Sequence, residues 1–300
     1  MRNVRPVLIL TLIMFLALGM LSCSKPSPSA PESPIQNESP QRVVALSSSL
    51  AEIWLLAGGT LVGTTSDTLE RDFAGLSDNV AVIGTVKEPV LEAILDLKPD
   101  FVILSADITG HTALEQVLKD ANIKCHFAHV ETLAEYLDTL EMFCGLTGNS
   151  ELLEKNGTDV QAQIKRLTDE YVLPSPPPTY LLMRVHSSGG KVIADDHVAC
   201  DILSELGAVN IAAREQSLLS DLSLEAILES DPDYIFVVTM GDEDAALKTL
   251  EQMFTLQPAW ERLSAAQNDR VHVLPKELFH YKPNAKWGEA YEAVIELLEP

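Results

Sequence analysis

Basic residues are scarce in this 300-residue chain. It has 21 Lys and Arg against 44 Asp and Glu, and its formal net charge is −23. Nucleic-acid binding depends on Lys and Arg to neutralise phosphates, so this balance argues against a nucleic acid as partner. It also argues against a polybasic patch for membrane surfaces. The hydrophobic content of 46% is nevertheless ordinary for a soluble globular protein.

Motifs for common catalytic chemistry are missing as well. The chain has no Gly-x-Ser-x-Gly turn, no glycine-rich phosphate loop and no His-Glu-x-x-His zinc site. His126 and His129 are close in sequence, but on an extended segment they face opposite sides, and no compact set of metal ligands stands out. The sequence therefore predicts a protein that is not an enzyme and has no cofactor of its own. Binding of a free metal ion remains an alternative.

The N-terminus has the layout of a secretory signal peptide. Arg2 and Arg5 provide the positive charge, and an uncharged apolar run follows over residues 7–21. That run is short for a membrane-spanning helix, which needs about 20 apolar residues. An uncleaved anchor, or an ordinary signal peptide with a chance cysteine after it, is the alternative interpretation.

The segment Met20-Leu21-Ser22-Cys23 resembles the lipobox of bacterial lipoproteins, with Met20 where the family usually has Leu. The resemblance implies cleavage before Cys23 and lipidation of its thiol. Three cysteines then remain, Cys125, Cys144 and Cys200, and an odd number cannot form a complete disulfide framework. We expect buried thiols, and the sequence leaves a Cys125–Cys144 bridge open.

The chain divides into segments of different character. A Ser- and Pro-rich stretch after the signal peptide cannot bury a core and predicts a flexible tether. The predicted boundaries are a signal peptide at 1–22, a tether at 23–41, an N-terminal lobe at 42–148, a connecting helix at 149–172 and a C-terminal lobe at 173–300.

Short apolar runs alternate with helical patterns after the tether. Val43–Leu46 reads as a buried strand, and Ser49 and Glu52 have the spacing of a capping box that opens a helix ending at Gly58. Such alternation predicts parallel sheets covered by helices.

An internal repeat supports two lobes of similar fold. Leu91–Leu95 and Leu224–Leu228 have the same sequence, Leu-Glu-Ala-Ile-Leu, and a Pro-Asp pair follows each at the same distance. Both copies predict a helix leading into a strand; two generic α/β units that share common residues are the alternative. Between the lobes, a helix of about 23 residues would run about 34 Å. One stiff crossing of this kind predicts limited lobe motion.

Five segments together resemble the iron-siderophore and vitamin B12 class of periplasmic binding proteins. They are Arg42–Ser49, Leu61–Gly63, Leu91–Val102, Ile202–Gly207 and Val209–Ile211. Ser48 stands where the family often has Pro. The resemblance implies the class III periplasmic-binding-protein fold, in which two α/β lobes with central, mostly parallel sheets are joined by a single long α-helix. The ligand then lies in the cleft between the lobes.

The resemblance also implies a role in transport. It indicates the substrate-binding lipoprotein of an ABC importer, carrying an iron-siderophore, haem or cobalamin-type chelate, with the permease and ATPase subunits as partners. Glu92 and Glu225, one in each repeat copy, match the family's docking glutamates. The protein is expected to be a monomer, outside the cytoplasm and held to the membrane through Cys23. A sensing or adhesion lipoprotein of the same fold is the alternative.

Cleft residues are expected at the ends of the strands. The candidate ligand contacts are Ser47, Ser48, Arg184, His186, Phe279, His280, Tyr281 and Lys282, with further strand-end loops at residues 66–67, 86–87, 107–111 and 218–219. Arg184 and Lys282 suit carboxylate, phosphate or catecholate oxygens. His280 and Tyr281 are known types of axial haem ligand, although His280 could simply form a hydrogen bond and Tyr281 could be half-buried.

Overall fold

The computed structural model describes residues 39–213 and 224–299. The predicted signal peptide, Cys23, most of the predicted tether and Leu218–Leu219 lie outside these residues. The described strands are β1 Val43–Ala45, β2 Leu61–Thr64, β3 Ala81–Val82, β4 Phe101–Ser105, β5 Lys124–Ala128, β6 Thr179–His186, β7 Gly189–Ile193, β8 Val209–Asn210, β9 Tyr234–Thr239 and β10 Val271–Val273.

Helices separate most of these strands. They are α1 Ser48–Leu56, α2 Ser66–Leu69, α3 Leu91–Asp96, α4 Thr109–Thr112, α5 Glu115–Asp120, α6 Leu133–Thr147, α7 Ser150–Leu153, α8 Asp159–Glu170, α9 Val198–Glu205, α10 Leu224–Ser230, α11 Glu243–Leu250, α12 Ser264–Gln267, α13 Lys276–Phe279 and α14 Trp287–Leu298. In the described part of the chain, no helix is both long enough and apolar enough to span a bilayer.

The strands form two sheets. The first has the order β3-β2-β1-β4-β5 and is parallel throughout. The second has the order β10-β9-β6-β7, with β8 also paired to β6, and its one antiparallel pair is β6 with β7. Strands with helices on both faces read as continuous apolar runs, as β1 and β9 do. The prediction of an α/β fold with mostly parallel sheets is confirmed.

The predicted capping box at the start of α1 is wrong. The helix begins at Ser48, and its N-cap residue, Ser47, makes no side-chain capping bond. Glu52 accepts a hydrogen bond from Asn284 Nδ2 at 2.7 Å, 232 residues away in the sequence, instead of turning back to the helix end. The described capping box lies at α6, between Thr132 and Glu135.

The two repeat copies have the same local structure. Each forms a short helix, α3 or α10, with an exposed Glu at its second position and a buried Ile at its fourth. The helices are followed at equivalent positions by Lys98 and Asp231, whose φ angles are +46° and +38°. The two copies therefore share a sparsely populated backbone conformation at the same position. Similar composition alone would not produce this match.

The Asp of each Pro-Asp pair ties its unit to the neighbouring strand. Asp100 accepts the backbone N–H groups of Gln41 and Arg42, at 2.8 and 3.0 Å, just before β1. Asp233 accepts the backbone N–H and the hydroxyl of Thr179, at 2.8 and 2.7 Å, at the start of β6. Each carboxylate thus satisfies donors that a strand end leaves unpaired, which explains why Asp recurs.

The chain is helical from Ser150 to Glu170, because a π-helical turn at Glu154–Thr158 joins α7 to α8. Helix α8 packs against α14 so closely that a Cβ on Gly288 would lie 2.2 Å from the Gln163 side chain. One hydrophobic cluster contains buried residues from both sheets, among them Phe101 of β4 and Phe236 of β9. The two sheets therefore share part of their core.

The cysteines of the described residues are unpaired. Cys144 and Cys200 are buried, and Cys125 is half-buried. Burial raises the pKa of all three thiols, most strongly for Cys200, whose pKa is raised to about 11. These thiols fill space in the core and are poorly reactive at neutral pH.

Candidate functional site

A cavity of about 610 Å³ lies where the carboxyl ends of strands from both sheets meet. Residues following β1, β4 and β5 of the first sheet and β9 and β10 of the second contribute to it. Its lining comprises Ser47, Ser48, Ser49, Leu50, Asp67, Val86, Lys87, Ser105, Asp107, Ile108, Thr109, Gly110, Ala128, Val130, Glu131, Met240, His280, Tyr281 and Lys282. This size is in the range of small-molecule sites.

Five of the eight candidate ligand contacts line this cavity. They are Ser47, Ser48, His280, Tyr281 and Lys282. The loops expected at residues 66–67, 86–87 and 107–111 also reach it, except that the His111 side chain is fully buried. His111 Nδ1 accepts the Ser105 N–H at 3.0 Å while Nε2 lies 2.8 Å from the Val86 carbonyl, so this ring fixes two cavity loops to each other.

The other three candidates lie elsewhere. Phe279 is 1% exposed and belongs to the hydrophobic core, because it is the last residue of the short helix α13 and its ring turns inward. His186 lies at the end of β6, where Nδ1 is 3.1 Å from the Ser188 hydroxyl. Arg184 is half-buried and does not line the cavity, although its positive charge acts on Glu131 and His280.

His280 and Tyr281 form an aromatic pair at the cavity wall, with ring centroids 4.8 Å apart. Burial, together with the positive charges of Lys276 and Arg184, lowers the pKa of His280 to about 4. The imidazole is therefore neutral at physiological pH. A neutral imidazole has a free lone pair, so it can accept a hydrogen bond or coordinate a metal.

The Arg71 side chain contacts the Tyr281 ring of this aromatic pair. Its guanidinium carbon lies 4.8 Å from the Tyr281 ring centroid and 4.4 Å from that of Phe73, as in cation–π contacts. It is also ion-paired with Glu52 at 3.4 Å and with Glu277 at 3.3 Å. Because Glu52 and Arg71 belong to the first lobe, this network fastens the Tyr281 loop across the lobe boundary.

Two further contacts cross the boundary at the same loop. Lys282 is ion-paired with Glu131, and both side chains are less than a fifth exposed. Asn284 is fully buried and donates from Nδ2 to the Ser49 carbonyl at 3.1 Å as well as to Glu52. Lys282 and Asn284 have φ angles of +73° and +49°. Non-glycine residues held in this region are strained and cluster at functional sites.

Sequence reasoning missed Glu131, Arg71 and Asn284. Glu131 lies directly before the Thr132 capping box, and Asn284 follows the candidate stretch at residues 279–282, so position alone offered a weak signal. Their partners are distant in the sequence, as for Arg71 and Glu277, which are 206 residues apart. No local spacing pattern records such a pairing.

Another cavity, of about 500 Å³, lies beside α1 and the connecting helical segment, with Arg71, Phe73, Asn156 and Lys286 in its lining. Its Arg71 is already paired with Glu52 and Glu277, and Asn156 donates to the Leu56 carbonyl at 2.8 Å. The cavity at the strand ends is the stronger candidate because parallel α/β sheets form binding sites there. Within residues 39–213 and 224–299, no group of three or more His, Cys, Asp or Glu is placed to hold a metal ion.

Glu92 and Glu225 are both exposed. Neither carboxylate has a hydrogen bond or an ion pair to another residue that the structure describes. The repeated Asp and Ile have structural roles in each copy, whereas the contacts among the described residues give no such role to the repeated Glu.

Comparison with known proteins gives consistent matches. A family model described as periplasmic binding protein matches residues 43–278. The chain is 26% identical to the iron-uptake system-binding protein of Bacillus subtilis, over 74% of this chain and 68% of that protein. It is 25% identical to the vitamin B12-binding protein of Vibrio cholerae, over 86% and 89%. The crystal structure of S. aureus IsdE complexed with heme is similar to this chain with a TM-score of 0.71, at 18% identity over 86% of this chain and 99% of that chain.

Proposed function

Because the chain belongs to the periplasmic binding protein family, we propose that it is the substrate-binding component of an ABC importer. In this proposal it captures a metal chelate, namely an iron-siderophore, haem or a cobalamin-type compound, and delivers it to a permease. The observation that carries the proposal is the cavity of about 610 Å³ at the strand ends of both sheets. The relatives named for iron uptake and vitamin B12 binding support the same ligand class.

The cavity offers groups suited to a chelate. The hydroxyls of Ser47 and Ser48 can donate to ligand oxygens, while neutral His280 presents a nitrogen and Tyr281 a phenol oxygen. Those two side chains could occupy an axial position on haem iron or bind a chelate through hydrogen bonds and ring contact. Binding of this kind needs no reaction at the ligand, and we infer that the protein is not an enzyme.

A binding panel tests the function. Ferrichrome, ferric citrate, haemin and cyanocobalamin are each titrated into the chain lacking residues 1–22, with tryptophan fluorescence and calorimetry as readouts. We expect one member to bind with a Kd in the micromolar range or tighter, since delivery to a transporter requires capture from dilute solution. The chain is expected to remain monomeric on binding. If every member of the panel fails to bind, the chelate-binding function is wrong.

We propose further that the protein is a lipoprotein outside the cytoplasm, anchored through Cys23. The apolar run at residues 7–21 and the Met20–Cys23 segment support this, as do relatives named as lipoproteins. Cys23→Ser should release the protein from the membrane fraction or leave the precursor uncleaved, because no thiol remains for lipidation. Fractionation and the mass of the N-terminal peptide measure this, with Cys125→Ser as the control. A Cys23→Ser chain that is still processed and membrane-bound would rule out the anchor.

A further inference from the structure

A second group of charges joins the two lobes and is centred on His129, two residues before Glu131. His129 follows β5 of the first sheet. Its Nδ1 lies 2.8 Å from the carboxylate oxygens of Asp107, which lines the cavity. Its Nε2 lies 3.2 Å from Asp196 and 3.5 Å from Glu135. Asp196 precedes α9 in the second lobe, so the imidazole connects carboxylates on both sides of the cleft.

The geometry around this ring favours its protonated form. A neutral imidazole has one donor nitrogen and one acceptor nitrogen, whereas an ionised carboxylate only accepts. Both ring nitrogens of His129 face carboxylate oxygens. The imidazolium donates from Nδ1 to Asp107 and presents its positive charge to Asp196 and Glu135 near Nε2, whereas loss of one proton would place a nitrogen lone pair near a negative oxygen.

The surroundings of His129 are acidic on every side. Asp107 comes from the loop after β4, Glu135 from α6 and Asp196 from the loop before α9. Burial acts to lower the pKa of His129, but the hydrogen bond and charge of Asp107 and the charges of Glu135 and Asp196 outweigh burial and raise it.

The neighbouring charged groups are themselves engaged. Glu131 is paired with Lys282, although its charge also acts on Asp196. Asp201, which lies near Glu135, accepts the Leu133 N–H at 3.2 Å. Among the described residues, Asp107 and Asp196 have no ion pair with Lys or Arg, so a protonated His129 supplies their cation.

The backbone conformation of Asp196 indicates a functional role for this contact independently of the charges. Asp196 has a φ angle of +53°. Lys282 and Asn284, which also reach across to the first lobe, have φ angles of +73° and +49°. Three of the second-lobe side chains that reach the first lobe thus extend from left-handed backbone positions, whereas Glu277 and Asp201 reach it from helices. Such conformations persist where the surrounding structure holds them in place, and they concentrate at clamps and active sites.

We propose that His129 is a positioning residue of the cleft, whose imidazolium holds Asp107 and Asp196 together and favours the closed, ligand-holding arrangement of the lobes. The proposal rests on the proposed function, because closure matters for a cleft that holds a ligand. Asp107 lies in the cavity wall, so losing the bridge changes the wall as well as the lobe contact. Rising pH removes the proton and weakens the bridge, and falling pH restores it.

Two measurements test the proposal. The first is the Kd of the tightest-binding member of the panel between about pH 6 and about pH 9, a range that spans the titration of histidine. Affinity should fall about fivefold as the pH rises, the size expected for a partly exposed charge pair. His129→Gln should bind about fivefold more weakly at the lower pH and show little further change.

The second measurement needs no ligand. Imidazole NMR signals of the chain lacking residues 1–22 are titrated, with the His129 signal assigned through His129→Gln. Asp196→Asn should lower the pKa of His129, because it removes a carboxylate of the other lobe. Asp244→Asn, which neutralises an exposed acid elsewhere in that lobe, should leave it unchanged.

The outcomes separate the two proposals. If no panel member binds but Asp196→Asn lowers the pKa of His129, the bridge exists and the chelate-binding function is wrong. If a chelate binds with the same pH dependence in His129→Gln, the positioning role is wrong and the function stands. Equal pKa values of His129 in the Asp196→Asn and Asp244→Asn variants would also overturn the bridge.

Discussion

A chain carrying both Glu92→Ala and Glu225→Ala should bind its chelate with unchanged affinity and yet support uptake about tenfold less well, or not at all. Both carboxylates are exposed at equivalent positions of repeated helices, where they make no hydrogen bond or ion pair with the described residues. Two negative charges, one on each lobe, give a permease two contact points. Such a pair fixes the orientation in which the two proteins dock and raises the rate of their association. Each single variant should give an intermediate loss, because one contact remains.

The control variant removes two negative charges at other exposed positions, one in each lobe. Asp138 and Asp244 are exposed acids, one in each lobe, on α6 and α11. Uptake of a radiolabelled chelate by cells lacking their own copy is compared among variants, with Kd measured on the purified chains. Normal uptake by the Glu92→Ala, Glu225→Ala chain, or an equal loss in the Asp138→Ala, Asp244→Ala chain, would contradict docking through these two residues.

Lys282→Met should destabilise the folded protein at neutral pH by about 3 kcal/mol, because it leaves a buried carboxylate without its partner. Glu131 and Lys282 are 15% and 19% exposed. Burial raises the pKa of Glu131 above 4.5, and the charge and hydrogen bond of Lys282 oppose that rise. Without Lys282 the pKa must rise further.

The sign of the pH dependence follows from linkage. A carboxyl with a raised folded-state pKa binds more protons folded than unfolded, so its burial costs little below its ordinary pKa. The cost appears as the pH rises above that value and through the folded-state pKa. The difference in unfolding free energy between Lys282→Met and the unaltered chain should therefore be small near about pH 4.5 and large near about pH 8.

Urea unfolding at the two pH values measures this difference. Adding Glu131→Gln to Lys282→Met removes the unpaired charge and should recover most of the stability at the higher pH. An effect of the same size at both pH values would show that Lys282 stabilises through packing and not through its charge.

The sequence predicted the sheets well because parallel strands buried on both faces leave an unmistakable apolar run. It also predicted much of the cavity, since residues at the carboxyl ends of parallel strands meet at one edge whatever their identity. His280, Tyr281 and Lys282 reach the cavity for this reason, whereas Phe279, one residue earlier, turns into the core.

The contacts across the lobe boundary were beyond sequence reasoning. Glu52 has the spacing of a capping residue, and only the fold reveals that Asn284 and Arg71 bind it instead. The raised pKa of His129 likewise depends in part on Asp196, which the chain brings near only after passing through the connecting helix. Long-range charge pairing follows from three-dimensional placement, and a single sequence carries no period that marks it.

The hydrophobic core shared by the two sheets limits how the chain can be divided into fragments that fold. Phe101 and Phe236 belong to one hydrophobic cluster, and Gly288 lets α14 press against α8. A fragment ending before the connecting helix would expose apolar surface that its own sheet cannot cover. We therefore expect that neither lobe folds stably without the other. Exchanging whole lobes between relatives would require the two buried surfaces to match. Changing specificity by replacing loops at the strand ends leaves that surface intact, and is the more practical route to an altered ligand.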